Sequence, residues 1–197
     1  MGKYEILVLG ELETNCYLVW EERSKECLVI DPADDGVGIA EEIRRRGLVP
    51  KMILATHGHF DHLLGALDLK LIFGIPFGCS SKDQFLLERQ RETARYFLGR
   101  EIEVPNFKKI DVDLDKEEKI EIGGEELGVI KTPGHTPGSV CFYSKKNGWL
   151  FSGDTLFAHG FRGDTKHEYS STKLIFRSIC SLFKLSRETI ILPGHGD

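Results

Sequence analysis

The sequence predicts an α/β fold in which two β-sheets pack face to face with helices on their outer faces. Three observations predict it. Short apolar runs rich in β-branched residues fill the first third of the chain and return in its second half. Gly123-Gly124 and Asn147-Gly148 each separate two such runs, the pattern of a tight hairpin, and hairpins join antiparallel strands. Each half runs strands first and a helix later. Alternating helices and strands alone would also permit one doubly wound parallel sheet; the two hairpins favour mixed or antiparallel sheets.

The elements follow in order. "YEILVLG", "NCYLVW" and "CLVIDP" read as three strands separated by polar or turn residues. "VGIAEEIRRRGL" reads as a helix closed by Gly47, with Pro50 shortly beyond. "KMILAT" is a buried strand, "HLLGALDLKLIFG" has helical spacing, and "IPFGCS" is a short strand. "SSKDQFLLERQRETARYFLG" is the clearest helix, with Ser81 and Gln84 placed for a capping box and Gly99 for its end. Glu88 with Arg91 and Glu92 with Arg95 are spaced as helix-surface pairs. "EKIEIGGEELGVIKT" and "SVCFYSKKNGWLFSGD" are the two hairpins. "SSTKLIFRSICSLF" is a helix with Leu174, Ile175, Ile179, Leu182 and Phe183 largely on one side, and "TIILPGHGD" is a last strand.

Composition bounds the function. The chain has 197 residues, enough for one sizeable core, and its 41% apolar and 29% charged residues are ordinary for a globular protein. Its net charge of −5 and the lack of a basic cluster disfavour nucleic acid, which needs grouped Lys and Arg. The densest basic run, Arg44 to Arg46, reads as a solvated helix face. No apolar run approaches the ~18 residues of a membrane span, and the N-terminus reads as a strand rather than a signal peptide. Cys16, Cys27, Cys79, Cys141 and Cys180 are odd in number and widely spaced, which points to buried core thiols rather than disulfides or a zinc knuckle. The expectation is a cytoplasmic protein acting on a small molecule, without nucleic-acid or membrane partners; nothing sets its oligomeric state.

The chemistry concentrates in residues 56–62, "THGHFDH". His57 and His59 are two apart, so on extended backbone they point the same way, and Asp61 and His62 follow. Imidazole nitrogen and carboxylate oxygen are ligands for zinc and related divalent metals. One loop cannot close such a site. "TPGHTPGS", "LFSGDTLF" and "IILPGHGD" offer His135, Asp154 and His195 in the same arrangement: an apolar strand, small turn residues, then one ligand-type side chain. Five of the seven histidines occupy such strand-end positions; His159 and His167 lie in a polar loop without that framing.

These motifs, in this order, resemble the metallo-β-lactamase superfamily across nearly the whole chain. "LGELETNCYLV" and "VIDPADD" are similar to the opening strands of its glyoxalase II-like branch. The resemblance implies an αββα sandwich with metals at one edge of the sheets. Carried over by position, it implies a first metal on His57, His59 and His135, a second on Asp61, His62 and His195, and Asp154 bridging them. The metals implied are two divalent ions, zinc first, with iron or manganese as alternatives. Two such ions lie ~3.5–4 Å apart and supply hydroxide from a bridging water at neutral pH. Asp61 would orient that nucleophile or take its proton. The implied reaction is hydrolysis of a small thioester or related acyl compound. Asp154 stands where many zinc β-lactamases carry a cysteine, which argues against antibiotic hydrolysis as the main role.

Departures from the branch shape further expectations. After "GDTLF" the chain reads "AHGFRGD", keeping Arg162 as a candidate for a substrate carboxylate, and the polar loop that follows is expected to border the pocket. The long enzymes add a C-terminal helical domain and an aromatic after the last histidine; here Gly196 and Asp197 follow His195. The expectation is one domain over residues 1–197, its C-terminus cut short of the family's usual end. A mononuclear iron persulfide dioxygenase on His57, His135 and Asp154 is the alternative reading. A nuclease would need large insertions or RNA-binding arms. A non-catalytic member would show eroded ligands. A flavodiiron protein would replace the second cluster histidine with Glu and add a flavin domain.

Overall fold

Period-two burial divides the strands between two apolar layers. The computed structural model describes residues 2–102 and 109–196; Met1, residues 103–108 and Asp197, the ends of the expected domain included, lie outside the described residues. One sheet has six strands in sequence order: β1 (Gly2–Leu9), β2 (Thr14–Glu21), β3 (Glu26–Ile30), β4 (Val49–Leu54), β5 (Phe77–Cys79) and β6 (Val112–Asp113). Its first two pairings are antiparallel and the remaining three parallel. The other sheet has five strands in the order β11 (Ile190–Pro193), β10 (Trp149–Gly153), β9 (Val140–Ser144), β8 (Glu125–Lys131) and β7 (Lys119–Ile122). β10 and β11 are parallel, the rest antiparallel. Both sheets are mixed, and the two hairpins form the antiparallel pairs β7–β8 and β9–β10 of the second.

Along β2, Tyr17 and Val19 enter the layer between the sheets, with Leu28, Ile30 and Leu54 beside them and Phe142, Phe151 and Val129 facing them. Cys16, Leu18 and Trp20 point the other way, onto α1 (Gly36–Arg45) and α2 (Ala66–Phe73), where they meet Ile39, Ile43 and Leu69. Helix α5 (Thr172–Leu182) covers the outer face of the second sheet through Leu182 against Cys141 and Leu150. The layers are therefore helix, sheet, sheet, helix.

Three helices differ from the sequence reading. α2 starts only at Ala66, because the N–H groups of Leu64 and Gly65 are taken by the carbonyls of Ala33 and Pro32. The helix expected from Ser81 to Gly99 is broken into a 3-10 turn (Ser81–Asp83), α3 (Gln84–Leu87) and α4 (Gln90–Leu98). Ser80 rather than Ser81 caps the turn, accepting the Lys82 N–H, while Gln84 reaches Glu88. Asp83, in the initial turn, is buried, and the break between α3 and α4 falls at Arg89, with φ −114° and ψ 13°. On α5, Ile175 and Leu182 are buried but Leu174 and Phe183 are exposed, and so is Cys180; the four other cysteines are buried, and all five are free thiols. No helix among the described residues is long and apolar enough to cross a membrane.

Candidate metal centre

Four loops bring ligand-type side chains to one end of the sandwich. The first follows β4: Ala55 donates to Gly78 O and the Thr56 carbonyl accepts the Val140 N–H at 2.8 Å, which ties the loop to both sheets. His57 to His62 follow, ending in a 3-10 turn over Phe60–His62. The second loop joins β8 to β9 and carries His135, the third follows β10 with Asp154, and the fourth follows β11 with His195. The fourth is tethered to β2. Asn15 Nδ2 and the Tyr17 hydroxyl both donate to Pro193 O, at 3.1 and 2.6 Å, and the Asn15 N–H donates to Gly194 O.

Backbone shape makes room for the ligands. Gly153 has φ +48°, and a Cβ there would strike the Thr56 side chain. A Cβ at Gly194 would press on the Asp154 carboxylate and come within 2.8 Å of the His62 ring. Both glycines belong to motifs that framed a ligand in the sequence.

The seven residues expected as ligands converge. His59 Nδ1 lies 3.0 Å from His135 Nε2, and the His57 ring centre is 4.6 Å from that of His59 and 4.2 Å from that of His62. The two Asp154 oxygens face different partners: Oδ2 is 3.4 Å from His135 Nε2, and Oδ1 is 3.4 Å from His62 Nε2 and 3.8 Å from His195 Nε2. Asp61 Oδ2 is 3.5 Å from His62 Nε2 and 3.3 Å from His195 Nε2. Three groups, His57–His59–His135, His57–His62–Asp154 and Asp61–His62–His195, each place their ligand atoms within 4.8 Å of one another.

The residues fit divalent cations. Each histidine is fixed at one ring nitrogen by the protein: His57 Nδ1 by the Thr56 hydroxyl, His59 Nε2 by the Tyr169 hydroxyl, and His62 Nδ1 by the Asp31 carboxylate. His135 Nδ1 meets the Asp164 carbonyl and His195 Nδ1 the Leu12 carbonyl. The other nitrogen of each ring is turned inward. His57 Nε2, His62 Nε2 and Asp154 Oδ1 are buried without a hydrogen-bond partner among the described residues. Buried polar atoms left unpaired are costly, and this outer fixing of rings is how proteins orient metal-binding imidazoles.

Electrostatics divides the cluster. Burial, then the neighbouring histidines, holds His57 well below the ordinary imidazole range and brings His59 to about 3, so both are neutral lone-pair donors at pH 7. Burial also pushes His62 down, but the carboxylates of Asp61, Asp31 and Asp154 together outweigh it and raise His62 well above its usual value. Burial pushes His195 down as well, but the Asp61 hydrogen bond and the charges of Asp154 and Asp61 together outweigh it and raise the ring above its usual value. Burial pushes Asp61 and Asp154 up, but His62 and the other neighbouring histidines together outweigh it and hold both below the usual carboxylate range.

Four contributors were absent from the sequence-derived site. Asp31 accepts from the Thr56 N–H and hydroxyl, both at 2.7 Å, and meets His62 at 2.9 Å. Its signal was the one used for Asp154, an acid directly after an apolar strand. Asp83 is fully buried and joins two loops. Its Oδ2 accepts the Gly58 N–H at 2.9 Å and the Thr136 hydroxyl at 2.6 Å, and its Oδ1 accepts the Gly138 N–H at 2.7 Å. Burial pushes its carboxyl up while those three donors pull it back. Thr56 and Tyr169 complete the set. The loop after Asp154 borders the cluster as expected, with the His167 ring stacked on Tyr169 and 5.7 Å from the His59 ring. His159 is exposed on a turn. Arg162 stands apart from the seven ligands: its guanidinium lies 5.2 Å over the Phe176 ring and donates to Gly163 O.

Comparison with known proteins agrees with this geometry. Residues 9–195 match the metallo-beta-lactamase superfamily. The chain is 32% identical to hydroxyacylglutathione hydrolase GloC of Haemophilus influenzae, over 98% of this chain and 90% of that protein. It is also 32% identical, with the same coverage, to the probable metallo-hydrolase YqgX of Bacillus subtilis. Among solved structures, the BLEG-1 B3 metallo-beta-lactamase superposes with TM-score 0.90 at 32% identity, over 99% of this chain and 92% of that one. TTHA1623 in a di-iron-bound form superposes with TM-score 0.85 at 32% identity, over 98% and 92%. The chain belongs to the metallo-β-lactamase superfamily, on its glyoxalase II-like branch.

Proposed function

We propose that this protein is a metal-dependent hydrolase of small thioesters. The observation that carries the reading is the inward turn of five imidazoles and two carboxylates, with Asp154 facing both halves of the cluster. His57, His59 and His135 would hold one divalent ion, Asp61, His62 and His195 a second, with Asp154 shared. Such ions, when bound, supply a Lewis acid for the carbonyl and lower the pKa of water toward neutrality.

The chain's own groups do the rest. Asp61, ionised and held by the Thr14 hydroxyl at 3.4 Å, is the base that orients the attacking water and takes its proton. With His59 Nδ1 turned inward as a lone pair, its Nε2 carries the proton and donates to Tyr169 oxygen at 2.9 Å. Burial pushes the Tyr169 hydroxyl up to about 12, so it stays a donor at neutral pH, free to meet an acyl oxygen. Water adds to the carbonyl carbon, the C–S bond breaks, and a carboxylate, a thiol and a proton result. A thiolate leaves without a strong acid, and the apparatus offers none. Arg162 is the candidate for an anionic substrate group, reached by rotating its side chain off Phe176.

The test is metal content per chain by elemental mass spectrometry, followed by hydrolysis assays with S-lactoylglutathione and simpler thioesters. About two divalent ions per chain and thiol release support the reading. Loaded protein that releases no thiol from any thioester overturns it. One iron per chain with oxygen uptake on a persulfide would instead identify the dioxygenase on His57, His135 and Asp154. The BLEG-1 likeness, at 32% identity and TM-score 0.90, supports a second reading, β-lactam hydrolysis, so a chromogenic cephalosporin belongs in the same screen.

A further inference from the structure

Beside His59 the surface opens into a groove of about 630 Å³, the size of a small-molecule site. One wall is the helical segment α3–α4, which presents Phe85, Tyr96 and Phe97; the other is the loop bearing His167 and Tyr169. These aromatics are left uncovered: Tyr96 is 81% exposed, Phe97 52% and Phe85 37%. Apolar surface of that kind, grouped in a concavity, marks a binding site rather than scattered surface hydrophobics.

The rings form a connected path to the cluster. Tyr169 accepts from His59 Nε2 and stacks on His167; Phe85 meets Tyr169 edge-on at 5.3 Å, and Phe97 meets His167 at 6.5 Å. Phe97 also stacks on Phe60, within the ligand loop itself, at 5.9 Å. Groove and cluster therefore share walls, and a molecule with its carbonyl at the cluster would extend its body across Tyr169 into the groove.

The charge of the lining narrows the occupant. Arg89 and Glu92 are its ionic residues, and they face each other at 3.4 Å, so their charges cancel. A tail with two carboxylates, such as glutathione carries, finds no matching field there. An uncharged ring finds edge-to-face and stacking partners on both walls.

We infer that this groove holds an aromatic or bulky apolar group of the substrate, so that the preferred thioesters are those carrying such a group next to the scissile carbonyl or on the thiol. The inference rests on the hydrolase reading for its reaction but not for its binding step.

The test compares metal-loaded wild type, Tyr96→Ala and Phe97→Ala on three substrates with matched remaining parts. They are a phenylacetyl thioester of a small thiol, an acetyl thioester of benzyl thiol, and the acetyl thioester of the small thiol. Wild type is expected to favour one aromatic substrate over the plain one by tenfold or more in kcat/KM, and the variants to shrink that ratio at least fivefold. Whichever aromatic substrate is favoured identifies the acyl or the thiol side as the groove's occupant. Separately, phenylacetate and benzyl thiol are titrated by calorimetry, a readout independent of turnover, with weaker binding expected in both variants. Thioester hydrolysis with no aromatic preference, or a preference that both variants retain, overturns the groove inference while the hydrolase reading stands. No thioester hydrolysis, with aromatic binding lost in the variants, sinks the hydrolase reading and leaves the groove as a binding site. Circular dichroism checks that each variant folds.

Discussion

Asp83→Asn isolates what holds the two histidine loops together. The substitution keeps the shape of the side chain, so it leaves no cavity. It replaces one oxygen by an NH2 group in a site where every partner is a donor. Oδ2 receives Gly58 N–H and the Thr136 hydroxyl; Oδ1 receives Gly138 N–H. Either way round, the amide NH2 faces a backbone N–H, so at least one buried hydrogen bond is lost and one donor is stranded. A hydrogen bond to a charged group contributes about 1.5–3 kcal/mol, and a stranded buried donor adds a cost of similar size. The expected destabilisation is about 3 kcal/mol, and at roughly 2–4 °C per kcal/mol for a chain of this size Tm should fall by about 6–12 °C. Gly58 lies between His57 and His59, and Thr136 and Gly138 follow His135, so the same change should loosen the first metal trio. Groups that orient ligands typically affect metal affinity by about 10–100-fold. The assay is thermal unfolding of metal-free protein, plus competition with a chromophoric chelator for zinc. A zinc affinity within threefold of wild type, together with a Tm within 2 °C, would refute the clamp.

Three other predictions follow from single sites. His59→Ala removes one nitrogen of the first trio; metal content should fall below that of wild type and turnover should vanish while circular dichroism is kept, and full activity would contradict the assignment. Glu42 bonds Arg45 at 2.6 and 2.7 Å and also pairs with Arg46; these bonds lower it from 4.5 to about 2. A carboxylate depressed in the folded state contributes stability that is present above about pH 4.5 and lost as pH falls toward 2, so Glu42→Gln should flatten that limb of the urea midpoint against pH. Phe142, fully buried between the sheets, should cost about 3–5 kcal/mol on replacement by Ala, measured by urea unfolding.

Much of this was legible in the chain because it is local. Strand-end ligands announce themselves through an apolar run and a small-residue turn, and the hairpin glycines announce mixed sheets. Gly123 and Gly124 do adopt positive φ, at 52° and 81°, as the turn requires. What stayed hidden depends on residues distant in sequence. Asp83 reads as an acid near a helix start, and only the folded chain shows it turned inward toward Gly58 and Gly138. The helix that periodicity predicts over Ser81–Gly99 is interrupted at Arg89, whose φ of −114° and ψ of 13° leave the helical range. Leu64 and Gly65 lose their helical hydrogen bonds to carbonyls more than thirty positions earlier. The exposed faces of α3–α4 and α5 carry apolar residues at helical spacing, which a sequence pattern cannot tell from core.

The two halves of the cluster are built on opposite electrostatic terms, and this bears on how they would share cations. Around His57 and His59, burial and neighbouring imidazoles dominate, so the rings are neutral and accept a cation at pH 7 without giving up a proton. Around His62 and His195, carboxylates dominate, so those rings hold a proton more tightly than free imidazole does. A cation entering there must displace it, which makes occupancy of that half steeper in pH. The same carboxylates compensate by bringing negative charge that the first half lacks. Asp154, with one oxygen toward each half, is where the two designs meet, and an uncharged replacement would weaken both sides at once. A cysteine at that position would present one sulfur where the carboxylate presents two separated oxygens. The aspartate is therefore suited to a centre shared between the two halves.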